Sequence, residues 1–327
     1  MRIAVTGSIA TDWLMTFPGR INEQLVEGEL QRVSLSFLVD ELEVRRGGAA
    51  ANIAFGLAQF GLAPVLVGAV GADFDSDYRG WLDSHGVDTA SIRVSVDKHT
   101  ARFLCTTDDD QNQIASFYTG AMEEARRIAL APVIERVAGI ELVVVSPNDP
   151  TAMIRHTEEC RALAMPFVAD PGQQIARMPG SDVRKLVDDA HILITNDYEK
   201  ALLERKTGWS HEDVMERVDV RITTVGPQGC ILERRDGERM EVPTVHERRR
   251  TDPTGVGDGF RAGLLAGMSW GLPLERCAQV GSLTATYVLE HIGTQEYGLE
   301  RTSYLERFTT TYGDEAGREL SDVLTLR

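Results

Sequence analysis

Thr251-Asp252-Pro253-Thr254-Gly255-Val256-Gly257-Asp258 is the stretch that decides how this chain is read. Two glycines one residue apart let consecutive backbone N–H groups turn inward. The run that follows, Asp258 to Trp270, places Gly259, Ala262, Gly263 and Ala266 on one helical face, which allows close packing. The helix is therefore expected to be buried with its N-terminus aimed at a site. Helix N-termini carry unpaired N–H donors and partial positive charge, and so bind phosphate. A carboxylate there, Asp258, suits proton removal from an attacking hydroxyl. The plainer alternative is that Asp258 only caps the helix.

Working outward, short apolar runs recur at Ile3–Thr6, Pro64–Gly68, Leu142–Ser146, Phe167–Asp170, Ile192–Thr195 and Arg221–Val225. Runs apolar on both faces are typical of parallel strands. Helical patterns lie between most of them: Ala49–Phe60, Asp73–His85, Pro150–Leu163, Asp182–Asp189 and Asp197–Lys206, with another over Leu274–Glu290 after the cradle helix. The alternation predicts an α/β fold, a doubly wound and mostly parallel sheet flanked by helices, in one domain spanning 1–327. Ligands in such folds sit beyond the carboxyl ends of the strands. Two stretches break the rhythm, about 9–46 and about 93–119. The first holds Val33–Val39 and Glu41–Val44; the second reads as strands Ala101–Thr107 and Gln113–Tyr118 around the turn Asp108-Asp109-Asp110. They are expected to form a small β lid, whose exposed sheet suggests a homodimer.

Composition excludes several classes. Among 327 residues, 50 acidic against 34 basic side chains give a formal charge of −16, which disfavours nucleic acid. Cys105, Cys160, Cys230 and Cys277 form no C-x-x-C pair, and the seven histidines show no metal spacing. No apolar run is long enough for a membrane span, and Met1–Gly7 is too brief for a signal peptide, so a soluble cytoplasmic protein is expected. None of the four lysines follows a glycine, so there is no Walker A loop. No H-R-D loop and no G-x-G-x-x-G opening occurs, which argues against a protein kinase and a dehydrogenase.

Three further motifs fall near predicted strand ends. Arg46-Gly47-Gly48-Ala49-Ala50-Ala51-Asn52 opens a helix, with Asn52 offering donor and acceptor to hydroxyl groups; a glycine-rich helix start with a chance Asn is the alternative. Thr195-Asn196-Asp197-Tyr198-Glu199 reads first as a capping box, and second as a pair holding water around Mg²⁺. Thr224-Val225-Gly226-Pro227-Gln228-Gly229 fits either a nucleotide pocket or a tight turn into the next strand.

These four motifs, in this order, resemble the ribokinase-like (PfkB) carbohydrate kinases over essentially the whole chain. Within that family, Val5–Asp12, Val33–Asp40, Gln113–Tyr118 and His156–Cys160 are most similar to bacterial adenosine kinases of the actinobacterial type. The resemblance implies ATP-dependent phosphorylation of the adenosine 5′-hydroxyl to AMP, a purine salvage reaction. Asp258 would be the base, and the Gly255, Val256 and Gly257 amides the anion hole. Asp12, Gly48 and Asn52 would hold the ribose. Asn196 and Glu199 would organise Mg²⁺ through water, and Asn196, Thr224, Gly226 and Gly229 would border ATP. A K⁺-type cation is implied near Asp252. An adenine needs flat apolar faces and an amide at its edge: Phe103 and Phe117 are candidates for the first, Gln173 and Gln174 for the second, with Ser8 and Ser36 nearby and Arg177 a candidate toward phosphate. Without the resemblance, the phenylalanines read as lid packing and the glutamines as solvated loop. Pro253 and Val256 stand where many relatives carry Thr and Ala; the three cradle amides survive both changes. A kinase of ribose, fructose or another purine nucleoside, or an inactive nucleoside sensor, are the rival expectations.

Overall fold

The computed structural model describes residues 1–24 and 35–326. Its main sheet has eight strands, in the spatial order Arg239–Val242, Cys230–Arg234, Val220–Thr224, Ile192–Asn196, Phe167–Ala169, Ile140–Val145, Arg2–Thr6 and Val65–Val67. The last six are parallel; the first two are antiparallel additions at one edge. β-Branched residues dominate the central strands, which are buried along nearly their whole length, as expected for a sheet covered on both faces. The order reverses at Arg2–Thr6, which lies between the later strand Ile140–Val145 and the strand Val65–Val67 that follows it in the chain. Doubly wound sheets open a crevice at such a point.

Helices Ala49–Gln59, Val256–Ser269, Leu274–Leu289 and Arg301–Tyr312 pack on one face; Pro150–Ala162, Gly180–Val187 and Asp197–Thr207 pack on the other. The small-residue face of the cradle helix does what its spacing implied. A Cβ on Gly263 would stand 2.6 Å from the Val280 carbonyl oxygen, and one on Gly56 would stand 2.5 Å from the Ala262 Cβ. Three helices thus approach nearly backbone to backbone, and Val256–Ser269 is held with its N-terminus at the strand ends.

The smaller sheet has the order Glu41–Gly47, Ala10–Thr16, Ala101–Thr107, Gln113–Tyr118, with only the central pair parallel. Strand Arg93–Ser95 is not part of it; it pairs instead with Ala69–Gly71. Of the β-rich run Val33–Val39, residues 33 and 34 lie outside the described residues, and 35–39 carry no strand. The helix expected over Asp73–His85 is broken into a 3-10 turn, Ala72–Ser76, and a helix, Tyr78–Ser84, with Asp77 at φ −149° between them. The Asp73 carboxylate accepts from the Thr100 amide and hydroxyl and from Arg102, pinning the first turn to the base of the lid. Beyond the sequence reading lie the C-terminal helices Arg301–Tyr312 and Asp314–Val323, the first capped by Glu300.

Candidate functional site

Strand ends supply the floor of the site. Ser8, Asp170, Asn196 and Thr224 stand at or just past the carboxyl ends of Arg2–Thr6, Phe167–Ala169, Ile192–Asn196 and Val220–Thr224, and all four line one cleft of about 580 Å³. The N-termini of helices Ala49–Gln59 and Val256–Ser269 form one wall, bringing Gly48, Asn52, Gly255, Gly257 and Asp258. The lid forms another, bringing Asp12, Phe103 and Phe117. Asp12 pairs in register with Phe103, and Phe103 with Phe117, so all three project from the same lid face.

At the cradle, Gly255 takes φ +76°, and a Cβ there would stand 2.8 Å from Thr294 Cγ2. Left-handed backbone and contact together demand glycine. Among the described residues the Gly255 and Gly257 amides have no protein acceptor, and the Val256 amide has only the Pro253 carbonyl at 3.4 Å. These donors and the helix N-terminus are suited to an anion.

Asp258 is half-buried, and one of its oxygens accepts from Asn52 Nδ2 at 2.8 Å. Burial raises its pKa to about 6; Arg261 and the Asn52 bond oppose the rise, and Asp170 adds to it. Asp12 is pushed up to about 7, first by burial and then by Asp252 and Asp258, against Arg45. A carboxylate poised near 6 is ionised at neutral pH yet basic enough to accept a proton.

Arg261, one turn after Asp258, was not anticipated. Its guanidinium donates to Asp170 at 2.5 Å and to the Gly257 carbonyl at 2.8 Å. A lone arginine amid Gly259, Phe260, Ala262, Gly263 and Leu264 was the available signal. Burial raises the pKa of Asp170 and of Glu199, and Arg261 opposes both.

Asn196 and Glu199 form the full capping box: Asn196 Oδ1 accepts the Glu199 amide at 2.7 Å, and Glu199 Oε2 accepts the Asn196 amide at 2.9 Å. Both nevertheless line the cleft. Among the described residues no cluster of three His, Cys, Asp or Glu side chains suits a metal, so any divalent ion here would lean on water and substrate oxygens, which is the habit of Mg²⁺.

Gln173 and Gln174 both line the cleft, but Gln174 is committed: its amide donates to the Asn148 carbonyl at 2.8 Å. Gln173 is exposed. Ser8 Oγ accepts the Ala49 amide at 3.0 Å, fixing the start of that helix. Arg177 also reaches the cleft. Five expected residues are not among its lining. Ser36 is exposed, in the strandless run after the undescribed segment. Val256 turns its side chain toward the core. Gly226 and Gly229 shape the turn after Val220–Thr224; a Cβ on Gly229 would strike the Val242 carbonyl at 2.0 Å. Asp252 accepts the amides of Thr254 at 2.9 Å and Gly293 at 3.1 Å, so it braces the loop leading into the cradle.

Known proteins resemble this chain over nearly its whole length. Residues 13–301 match the family described as pfkB family carbohydrate kinase. A nucleoside kinase of Methanothermobacter thermautotrophicus is 31% identical over 290 residues, 88% of this chain and 92% of that protein. The structure of Burkholderia thailandensis nucleoside kinase in complex with inosine is 35% identical, with a TM-score of 0.83, covering 95% of this chain and 98% of that one. The nucleoside kinase of Methanocaldococcus jannaschii, an archaeal member of the ribokinase family, superposes with a TM-score of 0.83 at 26% identity, covering 94% and 98%.

Proposed function

The chain belongs to the pfkB family of carbohydrate kinases, and on that premise we propose that it is an ATP-dependent purine nucleoside kinase, forming a nucleoside 5′-monophosphate and ADP. The observation carrying this reading is the juxtaposition, across one cleft, of Asp258 at the anion cradle and the lid pair Phe103 and Phe117.

In this reading Asp258 takes the 5′-hydroxyl proton as the oxygen attacks the γ-phosphorus of ATP in line, without a phosphoenzyme. The Gly255, Val256 and Gly257 amides meet the charge on the transferring group. Asp12, Gly48 and Asn52 hold the ribose, and the lid phenylalanines face the base. Asn196 and Thr224 border the ATP, with Gly226 and Gly229 shaping that wall from behind. Mg²⁺ suits the cleft as a water-held ion beside Asn196 and Glu199: Glu199 has one carboxylate oxygen outside its cap, and Mg²⁺ retains several waters. Bound there, it would neutralise phosphate charge. A K⁺ near Asp252 would sit on a loop that Asp252 already braces. Lid closure over the cleft excludes water from the transfer.

Adenosine is the proposed acceptor, with inosine close behind. Among the described residues, Gln173 presents an exposed amide toward the cleft, while Gln174 is held through its Nε2 by the Asn148 carbonyl. An amide that rotates freely serves an amino or an oxo edge equally, and without a buried, fixed partner discrimination stays modest. The inosine bound to the Burkholderia relative supports the same breadth. The lid face turned away from the cleft carries exposed Leu42, Val44, Ile114 and Tyr118, which a second copy of the chain would cover in a homodimer.

Incubation with Mg-ATP and adenosine, inosine, guanosine, ribose or fructose, followed by mass identification of products, tests the proposal. Phosphorylated nucleosides are expected. Turnover of sugars instead would leave the fold and overturn the acceptor; nucleoside binding without turnover would indicate a sensor.

A further inference from the structure

The Asn52 amide that donates to Asp258 is not free to choose its orientation, and the constraint starts some distance away. An indole nitrogen only donates. Trp81 Nε1 lies 3.1 Å from Gln295 Oε1, which identifies that atom as the oxygen of the Gln295 amide. The Gln295 NH₂ must then face the other way, where it meets Asn52 Oδ1 at 2.9 Å and the Tyr78 hydroxyl at 2.6 Å. Tyr78 passes its own proton to the Gly47 carbonyl at 2.8 Å. With Asn52 Oδ1 receiving from Gln295, Asn52 Nδ2 is left facing Asp258.

Thr294 does not settle the orientation. Its single hydroxyl proton has two acceptors, the Arg46 carbonyl at 2.9 Å and Asn52 Oδ1 at 2.8 Å. A flipped Asn52 would suit Thr294 but would set two NH₂ groups against each other at Gln295 and an oxygen against the Asp258 carboxylate. Gln295 is 1% exposed and Asn52 5%, so solvent would not compensate either mismatch.

From these contacts we infer that Trp81 and Gln295 are positioning residues of the phosphoryl transfer, fixing through Asn52 a donor against one oxygen of Asp258. The other Asp258 oxygen is thereby left for the acceptor hydroxyl. The relay also ties the base to the lid, because Tyr78 donates to the carbonyl of Gly47, at the close of strand Glu41–Gly47. The inference rests on the reading of Asp258 as the base.

Trp81→Phe removes the fixed donor, while an aromatic ring remains to stack on Phe55 and lie under Arg46. Gln295→Met removes the middle of the relay at similar volume. The other groups acting on Asp258 are Arg261 on its own helix, Asp170 at a strand end, Asp12 on the lid and the Tyr297 phenol, and all remain in both variants. With adenosine and Mg-ATP, the acid limb of kcat/KM should move up by about one pH unit in Gln295→Met and by about half a unit in Trp81→Phe, one unit being tenfold in the ionised fraction below the limb. KM for ATP should be unchanged, and circular dichroism should match the parent.

Loss of rate equal at every pH, with the limb unmoved in both variants, overturns the relay. Asp258→Asn, run alongside, separates this failure from that of the underlying reading. Near-normal turnover in Asp258→Asn removes the base itself, whereas a dead Asp258→Asn with unmoved limbs removes only the relay.

Discussion

Arg261 and Asp170, ninety-one positions apart in sequence, meet at 2.5 Å beneath the cradle, the carboxylate 1% and the guanidinium 10% exposed. Removing one member of such a pair leaves the other charged and buried. Asp170→Ala should therefore cost about 3–5 kcal/mol of stability in urea unfolding. It should also lower the Asp258 pKa, because Asp170 raises it and a released Arg261 would be freer to depress it. The acid limb of kcat/KM would then move down, opposite to its movement in the relay variants.

The cradle glycine gives a second test. Gly255→Ala adds a Cβ that meets Thr294 Cγ2 at 2.8 Å, on a backbone at φ +76°. The cradle cannot keep its shape, and its amides no longer converge on one point. Loss of an oxyanion-type donor costs roughly 10²–10³ in kcat. Calorimetry should show nucleoside binding less affected than turnover, since Phe103, Phe117 and Asp12 lie on the lid, away from Gly255.

Much of this site was legible because its parts are contiguous. The phosphate cradle, the base, the paired glycines before Asn52 and the capping box each fit within eight residues, and each is a local solution to a backbone problem. The strands of the main sheet declared themselves by unbroken apolar runs such as Leu142–Val145. What escaped was tertiary. No spacing rule links Trp81, Gln295 and Asn52, or Arg261 and Asp170, because the partners come from different helices and loops. Ser36 misled because alternation in Val33–Val39 imitates a strand, while the residues described there pair with no neighbour. Gln174 looked free because its acceptor is a main-chain carbonyl, which has no signature in sequence.

Phe103→Ala separates nucleoside from sugar recognition. Base–aromatic stacking is worth about 1–3 kcal/mol, so KM for adenosine should rise about 5–150-fold. Any slow phosphorylation of ribose, which has no ring to stack, should keep its rate. Equal losses on both acceptors would return Phe103 to a packing role.

The raised pKa of Asp258 also carries a sign for stability. Its folded pKa, about 6, lies above the ordinary value of 3.8. Between these two pH values the folded state holds more protons than the unfolded one, so this group's contribution to stability falls as pH rises from about 4 to 6. Above pH 6 the buried charge is fully destabilising. Asp258→Asn should therefore be more stable than the parent at pH 8, by about 1–2 kcal/mol after allowing for partial exposure, and nearly equal to it at pH 4. Thermal melts at the two pH values check this.

The most direct measurement is the pH profile of kcat/KM for AMP formation from adenosine, in the parent and in Asp258→Asn. The parent rate should climb through pH 6 to a plateau, and the Asp258→Asn rate should be lower by about 10²–10⁴ and lack that limb. An Asp258→Asn enzyme that keeps near-parent turnover, or phosphate found elsewhere than the 5′-oxygen, would contradict the proposed transfer.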